Sequence, residues 1–382
     1  MERNLRIFRE CNDVAFWADP AVGFARLFAA GERVLRAPDG ALCIFGHAEL
    51  TALARQPAVE GVAVAPDAFG PHGDLATFFG AGLFAGAGNA HRHARRAALA
   101  GLGVAPIAAR APEISGLVQQ ALEGCLGDTP FDLARDLVLP LTARVWAQVA
   151  GYPTAVVLAL AEAVATLSDP EAVAASQAAA ARQVQALTRV AWWAGSPFMD
   201  TIGDALPSGA DPVSLVASMA VDGIDSAAAG LAGALAVLLD QPPEMVARHG
   251  PEPCLQEALR LAMPVILSMR QATEDTSCCG LEVPCGTVLW MWWGAGCMDP
   301  VAYSEPARFL PARPGPRAPV FGAGVHSCLG HALIRTVALP LIAGVFGGSR
   351  HLLADGPARP SQLWRLSRLP HQRVVWSGAR PD

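Results

Sequence analysis

Residues 321–330 read FGAGVHSCLG. One cysteine, Cys328, stands in a glycine-rich loop, with Phe321 seven positions before it and His326 two before it. Gly330 then opens an apolar stretch of helical character. A helix start beside a thiol offers unpaired N–H groups and the positive end of the helix dipole, and both favour the thiolate. Gly322 and Gly324 let backbone approach the sulfur closely. Phe321 can shield it from water. A single sulfur ligand leaves the rest of a coordination sphere to something the protein does not supply. A planar macrocycle such as haem suits that description. The alternative is a small buried structural cysteine.

Other residues could move protons or hold charge. Asp222, Asp225 and Ser226 fall within one long apolar stretch. Asp222 and Ser226 lie one helical turn apart, on the same face. An acid aimed at a dry pocket is costly unless it is paired or protonated. Asp222 is therefore expected either to hydrogen-bond Ser226 or to hold a polar or cationic group of a ligand. His91 and Arg95, at i and i+4, also share a helix face. Glu257 and Arg260, at i and i+3, can pair along a helix. Cys278, Cys279, Cys285 and Cys297 could suggest zinc, but they contain no C-x-x-C pair, and an adjacent pair is an awkward start for a tetrahedral site. Such residues are more often small buried hydrophobes.

These groups need elements to hold them. Asp211 can cap a helix and Pro212 can begin it. That helix should run to about Asp240, where Pro242-Pro243 stop it, over ~29 residues or ~43 Å. It is apolar nearly all round, so it belongs at the centre of the fold. Gly223, Gly230 and Gly233 each cost up to about 1 kcal/mol against alanine, and a bound group lying across the helix is expected to need their lack of a side chain. Residues 251–263 read as another helix and 264–294 as strands, with a hairpin around Cys279-Gly280. ALCIFG at 41–46 reads as a strand after a turn. Residues 61–90 look irregular or lid-like. Helical patterns dominate 91–200, broken at Pro106, Pro112, Pro130 and Pro153. Residues 297–320 form a Pro-rich meander. The final helix should kink at Pro340, and RVVW at 373–376 should close the chain as a strand. No linker divides the sequence, so one domain over 1–382 is expected.

Hydrophobic residues make up 52% of the 382-residue chain and charged residues 16%, which supports a large core and excludes disorder. The formal charge of −6 gives no support for nucleic-acid binding. All 28 basic residues are arginine. The opening MERNLRIFRECND has charges where a signal peptide needs an apolar core, and no run reaches the ~18 continuous apolar residues of a membrane span. A cytoplasmic protein without a membrane anchor is expected. The nine cysteines are odd in number and argue against a disulfide framework.

FGAGVHSCLG resembles the haem-ligand signature of the cytochrome P-450 (haem-thiolate monooxygenase) family, F-x-x-G-x-H/R-x-C-x-G, at Phe321, Gly324, His326, Cys328 and Gly330. Glu257-Ala-Leu-Arg260 resembles the family's E-x-x-R, and Pro306-Ala-Arg308-Phe309 its P-x-R-F. The resemblance implies a buried network of Glu257, Arg260 and Arg308 that locks the meander. It also implies that His91, Arg95, Arg270 and His326 meet the haem propionates. Asp222-Gly-Ile-Asp225-Ser226-Ala227 stands where the family has A-G-x-D/E-T-T/S, which makes Asp225 and Ser226 the acid–alcohol pair that handles protons for bound dioxygen. Ser226 keeps the hydroxyl of the usual threonine but lacks the methyl that fixes its rotamer. Asp222 stands where a small apolar residue is usual. Cys297-Met-Asp299-Pro300 keeps only the last two residues of a common N-R-D-P.

The fold implied is mainly α with a small β-sheet region, the cytochrome P-450 fold. The cofactor implied is haem b, with Cys328 as axial ligand to iron. The reaction implied is insertion of one atom of dioxygen into a small or medium hydrophobic substrate. Electrons would come from a ferredoxin or flavodoxin with its NAD(P)H-dependent reductase, docking on a basic cluster of Arg92, His93, Arg95 and Arg96. By resemblance, substrate contacts come from residues 65–85, 165–200, 216–220, 265–269 and 363–369. Phe78, Phe79, Phe84, Trp192 and Trp193 are candidates there, although such aromatics are more often core than ligand contacts. Two other readings stand beside this one: a haem-thiolate enzyme with non-hydroxylating chemistry (peroxygenase, dehydration or oxidative coupling), and a non-enzymatic haem-binding sensor. The Asp225-Ser226 pair argues against the peroxide-driven type.

Overall fold

The computed structural model describes residues 16, 19–68, 70–169, 172–242, 244–348, 350–358 and 371–377. Helices α1 (Pro20–Ala29), α2 (His47–Leu53), α3 (Gly73–Gly80) and α4 (Gly88–Leu102) come first. The segment expected to be irregular thus contains the short α3. Next come α5 (Val104–Ala109), α6 (Ala111–Gly124) and α7 (Leu139–Ala150). Pro106 and Pro112 sit in the first turns of α5 and α6 and break neither, because a proline there forfeits only an N–H that has no helical partner. Helices α8 (Val157–Ser168) and α9 (Ala174–Ala194) pack on each other, followed by α10 (Pro197–Ala205).

The next helix, α11 (Pro212–Leu239), has 28 residues and so is ~42 Å long. The Asp211 carboxylate accepts from the Val213 N–H at 3.0 Å and caps it, with Pro212 in the first turn. It stops at Asp240, before Gln241-Pro242; Pro243 lies outside the described residues. By length and composition it could cross a membrane, but 67% of its most apolar window is buried inside the protein. It packs against α7, α8 and α9, and against α13 (Pro251–Ala262), which follows the short α12 (Glu244–His249). One of its glycines, Gly233, serves this packing rather than a bound group, which corrects the expectation from sequence at that position, whereas Gly223 borders a cavity beside Trp146. A Cβ on Gly223 would lie 3.1 Å from the Trp146 ring, and one on Gly233 would lie 2.9 Å from the Ala262 Cβ. Gly230 faces a cavity.

The main sheet has the order β1-β2-β8-β5-β3, from Val34–Arg36, Leu42–Ile44, Val288–Met291, Ser268–Ala272 and Val59–Gly61. Strands β2 and β8 run parallel and the other pairs antiparallel. Strands β6 (Thr276–Cys278) and β7 (Leu281–Val283) form the expected hairpin. Its turn residues Cys279 and Gly280 have φ of 53° and 75°, the left-handed pair whose twist matches the flanking strands. Strand β10 (Arg373–Trp376) pairs with β9 (Leu352–Ala354) and with β4 (Phe131–Asp132). Past β8, Trp292 is fully buried against Phe16, Phe24 and Phe45, and α14 (Trp293–Cys297) leads into the meander.

No helix or strand occurs over 298–318, and buried charge holds the chain there. Glu257 accepts from Arg260 at 2.7 and 2.8 Å, from Arg313 at 3.0 Å and from the Leu310 N–H at 3.0 Å. Arg260 also donates to the carbonyls of Cys297, at 2.8 Å, and Pro306, at 2.7 Å. Arg313 therefore fills the place expected for Arg308. The Arg308 side chain points outward to Glu305 and is 63% exposed. Only its backbone carbonyl joins the network, accepting from Arg260 and Arg313. Asp299 is also buried, paired with Arg33 at 2.7 Å and accepting the His47 N–H at 2.8 Å. The last helix, α15 (His331–Phe346), runs through Pro340 without interruption.

Candidate active site

The Cys328 loop is built on two glycines of positive φ, Gly322 at 64° and Gly324 at 69°. At Gly324 a Cβ would lie 1.7 Å from the Ala54 carbonyl oxygen, so no other residue fits. The Cys328 N–H donates to the Phe321 carbonyl at 2.8 Å and closes the loop. The N–H groups of Gly330 and His331, at the start of α15, favour the thiolate. Burial still pushes the thiol above its ordinary value, against those two N–H groups and Arg95, and Asp222 adds to the rise. The surface that Cys328 exposes faces a cavity of about 340 Å³ rather than bulk water. A metal cation in that cavity would supply the positive charge that a thiolate needs here. Phe321 lines the cavity beside the sulfur and packs edge-on against His331.

One region of the cavity is cationic. Arg270, on β5, is 4% exposed, and its only side-chain hydrogen bond among the described residues goes to the Met269 carbonyl. Burial lowers Arg270 to about 10. Arg95, on α4, donates to the Ser327 carbonyl and hydroxyl at 2.7 and 3.1 Å. His91, one turn earlier on α4, stacks on His326 with ring centroids 4.1 Å apart. Burial and the neighbouring arginines push His326 down to about 3 and His91 below its usual value. The Nε2 atoms of both rings are buried without a hydrogen-bond partner. The nearby acid, Glu60, is occupied by the Gly88 N–H and Arg92. Two arginines and two orphaned imidazole nitrogens around a cavity want carboxylates. The residues present therefore fit haem, which carries two carboxylates beside an iron that takes a thiolate.

Helix α11 brings Asp222, Asp225 and Ser226 to the same cavity. The Ser226 hydroxyl donates to the Asp222 backbone carbonyl, not to its carboxylate. Burial and the charge of Asp225 push the Asp222 carboxyl up to about 7. Of the aromatic candidates, Phe79 and Phe84 line the cavity, whereas Phe78 is buried in the core and Trp193 is 81% exposed. Trp192 packs over Gly203. Leu167, Met219 and Val265 reach the cavity from the segments expected. Residues 363–369 lie outside the described residues, as does Cys11. Trp146 and Val145 of α7 line the cavity as well. Their spacing reads as ordinary helix core, and only the contact of Trp146 with Gly223 marks them out.

A helical fold with small sheets, around a cavity that holds a lone cysteine and a carboxylate-seeking cluster, is that of a haem-thiolate protein. Comparison with known proteins agrees. The cytochrome P450 family model matches residues 252–337, which include the Glu257 network and the Cys328 loop. Cytochrome P450 88A1 of Zea mays is 35% identical over 127 residues, covering 32% of this chain and 23% of that protein. The C-19 steroid 1alpha-hydroxylase of Sorangium cellulosum is 26% identical over 265 residues, covering 63% of this chain and 67% of that protein. The chain thus spans about a quarter of the maize relative's length and two thirds of the bacterial one's. The structure of P450BioI in complex with hexadec-9Z-enoic acid ligated acyl carrier protein superposes with a TM-score of 0.85 at 20% identity, covering 95% of this chain and 99% of that one. The family model's match and the shared fold support a cytochrome P450 family member. Members of this family bind haem b through a cysteine thiolate.

Proposed function

We propose that the protein is a single-domain haem-thiolate monooxygenase of the cytoplasm. It inserts one atom of dioxygen into a small or medium hydrophobic substrate, and the other leaves as water with two electrons and two protons. The electrons come from a separate ferredoxin or flavodoxin and its NAD(P)H-dependent reductase. One observation carries the reading: Cys328, the Arg95–Arg270 cluster and the Asp225-Ser226 pair all border a single, mostly apolar cavity.

Cys328 would hold the haem iron through its sulfur, with the Gly330 and His331 N–H groups moderating the charge there. Haem, when bound, supplies the one-electron and dioxygen chemistry, and a thiolate ligand favours O–O cleavage. Arg95, Arg270, His91 and His326 would hold its carboxylates. Glu257, Arg260 and Arg313 fix the meander that leads to the Cys328 loop. Ser226, without a threonine's methyl, can turn its hydroxyl from the Asp222 carbonyl into the cavity. There its O–H would be available as a proton donor, with Asp225 as the acid that would resupply the proton. Phe79, Phe84 and Val265 exclude water and bind the substrate's apolar surface.

The test is the spectrum of the reduced, carbon monoxide-bound protein. The wild type should give the red-shifted Soret band of a thiolate ligand, and Cys328→Ser should lose it. Product formation with a surrogate ferredoxin pair, but not with peroxide alone, is the expected turnover result. A wild-type spectrum without the thiolate band overturns the assignment.

A further inference from the structure

One acid on the cavity wall has no part in the chemistry above. Asp222 borders the cavity from α11, and no hydrogen bond reaches its carboxylate among the described residues. No ion pair among the described residues includes it, and the Ser226 hydroxyl goes to its backbone carbonyl. The wall around it is apolar, with Leu102, Val145, Trp146, Met219 and Val221.

Asp222 interacts with Asp225, one turn on, and with the Cys328 sulfur, both negative when ionised. Arg95 and Arg270 line the same cavity, but their hydrogen bonds among the described residues go to Ser327 and to the Met269 carbonyl, not to Asp222. In the haem-bound protein those arginines face the propionates. A wholly apolar ligand packed against Asp222 would leave a desolvated carboxyl without a partner. A ligand with an ammonium group would satisfy it, and the charge would be strongly felt in so dry a place.

We infer that Asp222 selects the substrate: the cavity takes an apolar molecule carrying a basic amine, whose ammonium sits against the Asp222 carboxylate. The inference rests on this cavity being the monooxygenase's substrate cavity, and it narrows the substrate class.

The test is calorimetric binding to the haem-loaded protein, with a matched pair of probes. One is 4-phenylbutyl-dimethylamine; the other is its neutral carbon isostere, with isopropyl in place of dimethylamino. The wild type should bind the amine about tenfold tighter or more. Asp222→Asn, which keeps the shape, and Asp222→Ala, which restores a small residue, should each abolish that preference, while the isostere binds as well or better. Equal binding of the two probes to the wild type overturns the inference, as does failure of both to bind. A preference that survives both substitutions also overturns it, and is the result expected if the amine simply ligates iron. Failure of the monooxygenase reading shows separately, as a missing thiolate band in the carbon monoxide spectrum.

Discussion

Arg308 and Arg313 separate two roles that the sequence presents alike. Both are arginines in an aperiodic, Pro-rich segment, and local spacing cannot say which one turns inward. The path of the meander decides it: the Arg308 carbonyl faces Arg260, so its side chain points to Glu305, and Arg313 reaches Glu257 instead. Arg313→Ala leaves a buried carboxylate short of a partner and should cost about 3–5 kcal/mol. Arg308→Ala removes an exposed pair and should change stability by less than about 0.5 kcal/mol. Urea unfolding of the haem-loaded protein measures both, and equal losses would restore Arg308 to the network. Glu257 also sets a pH dependence. Burial raises its carboxyl, but the Arg260 and Arg313 hydrogen bonds outweigh that and hold it below its ordinary value of 4.5. The unfolded chain therefore takes up the proton first as pH falls. The stability Glu257 confers should be complete above about pH 4.5 and fade below it. The gap in unfolding free energy between wild type and Glu257→Gln should thus narrow on acidification; a constant gap would remove Glu257 as a titrating contributor. The types of the cysteine, histidine and arginine residues at the site were legible because each brings a charge or donor that an apolar protein has little other use for. The direction of Asp222 was not, because a hydroxyl one turn away can bond to the backbone as readily as to a carboxylate.

At the scale of elements, capping and turn chemistry were readable and the reasons for glycine were not. Asp211-Pro212 predicts the start of α11, and Cys279-Gly280 predicts the hairpin, because each signal is local. Gly233 depends on Ala262, which lies on another helix, so its purpose appears only once the helices pack. Gly324 is the sharpest case. Alanine there would take a left-handed φ and also drive its Cβ into the Ala54 carbonyl, displacing the loop that carries Cys328. Gly209 has a φ of 87° but nothing within 4 Å of a new Cβ. Gly209→Ala should therefore cost only the backbone penalty, about 1–2 kcal/mol. Gly324→Ala should cost more than about 3 kcal/mol and reduce the haem retained on purification. Thermal unfolding and haem content per chain measure the contrast. Similar losses at the two positions would mean that the loop yields around the added methyl.

If the protein is the proposed monooxygenase, electrons must reach the cavity from outside, and α4 offers one face to the cavity cluster and another to solvent. Its inner face carries His91 and Arg95 to the cationic cluster. Its outer face leaves Arg92, His93 and Arg96 exposed. Arg92 is partly taken up by Glu60, at 3.2 Å, and by Asn89, at 2.8 Å. Arg96 has no hydrogen bond among the described residues. The sequence marked all four basic residues as a docking cluster; their split between inside and outside follows from the turn of the helix, since Arg95 lies on the face of His91. On a chain of formal charge −6, a positive surface next to the helix that reaches the cofactor pocket can orient an acidic partner. Arg96→Glu should slow first-electron transfer from an acidic ferredoxin by about five- to tenfold at low salt. The deficit should shrink toward nothing near 0.5 M salt, where screening acts over only about 4 Å. Stopped-flow reduction under carbon monoxide reads this rate directly. The carbon monoxide spectrum and the amine preference should stay unchanged, because Arg96 touches neither the Cys328 loop nor Asp222. A deficit independent of salt would mean that Arg96 supports α4 rather than steering a partner, and the docking face would then have to lie elsewhere on the molecule.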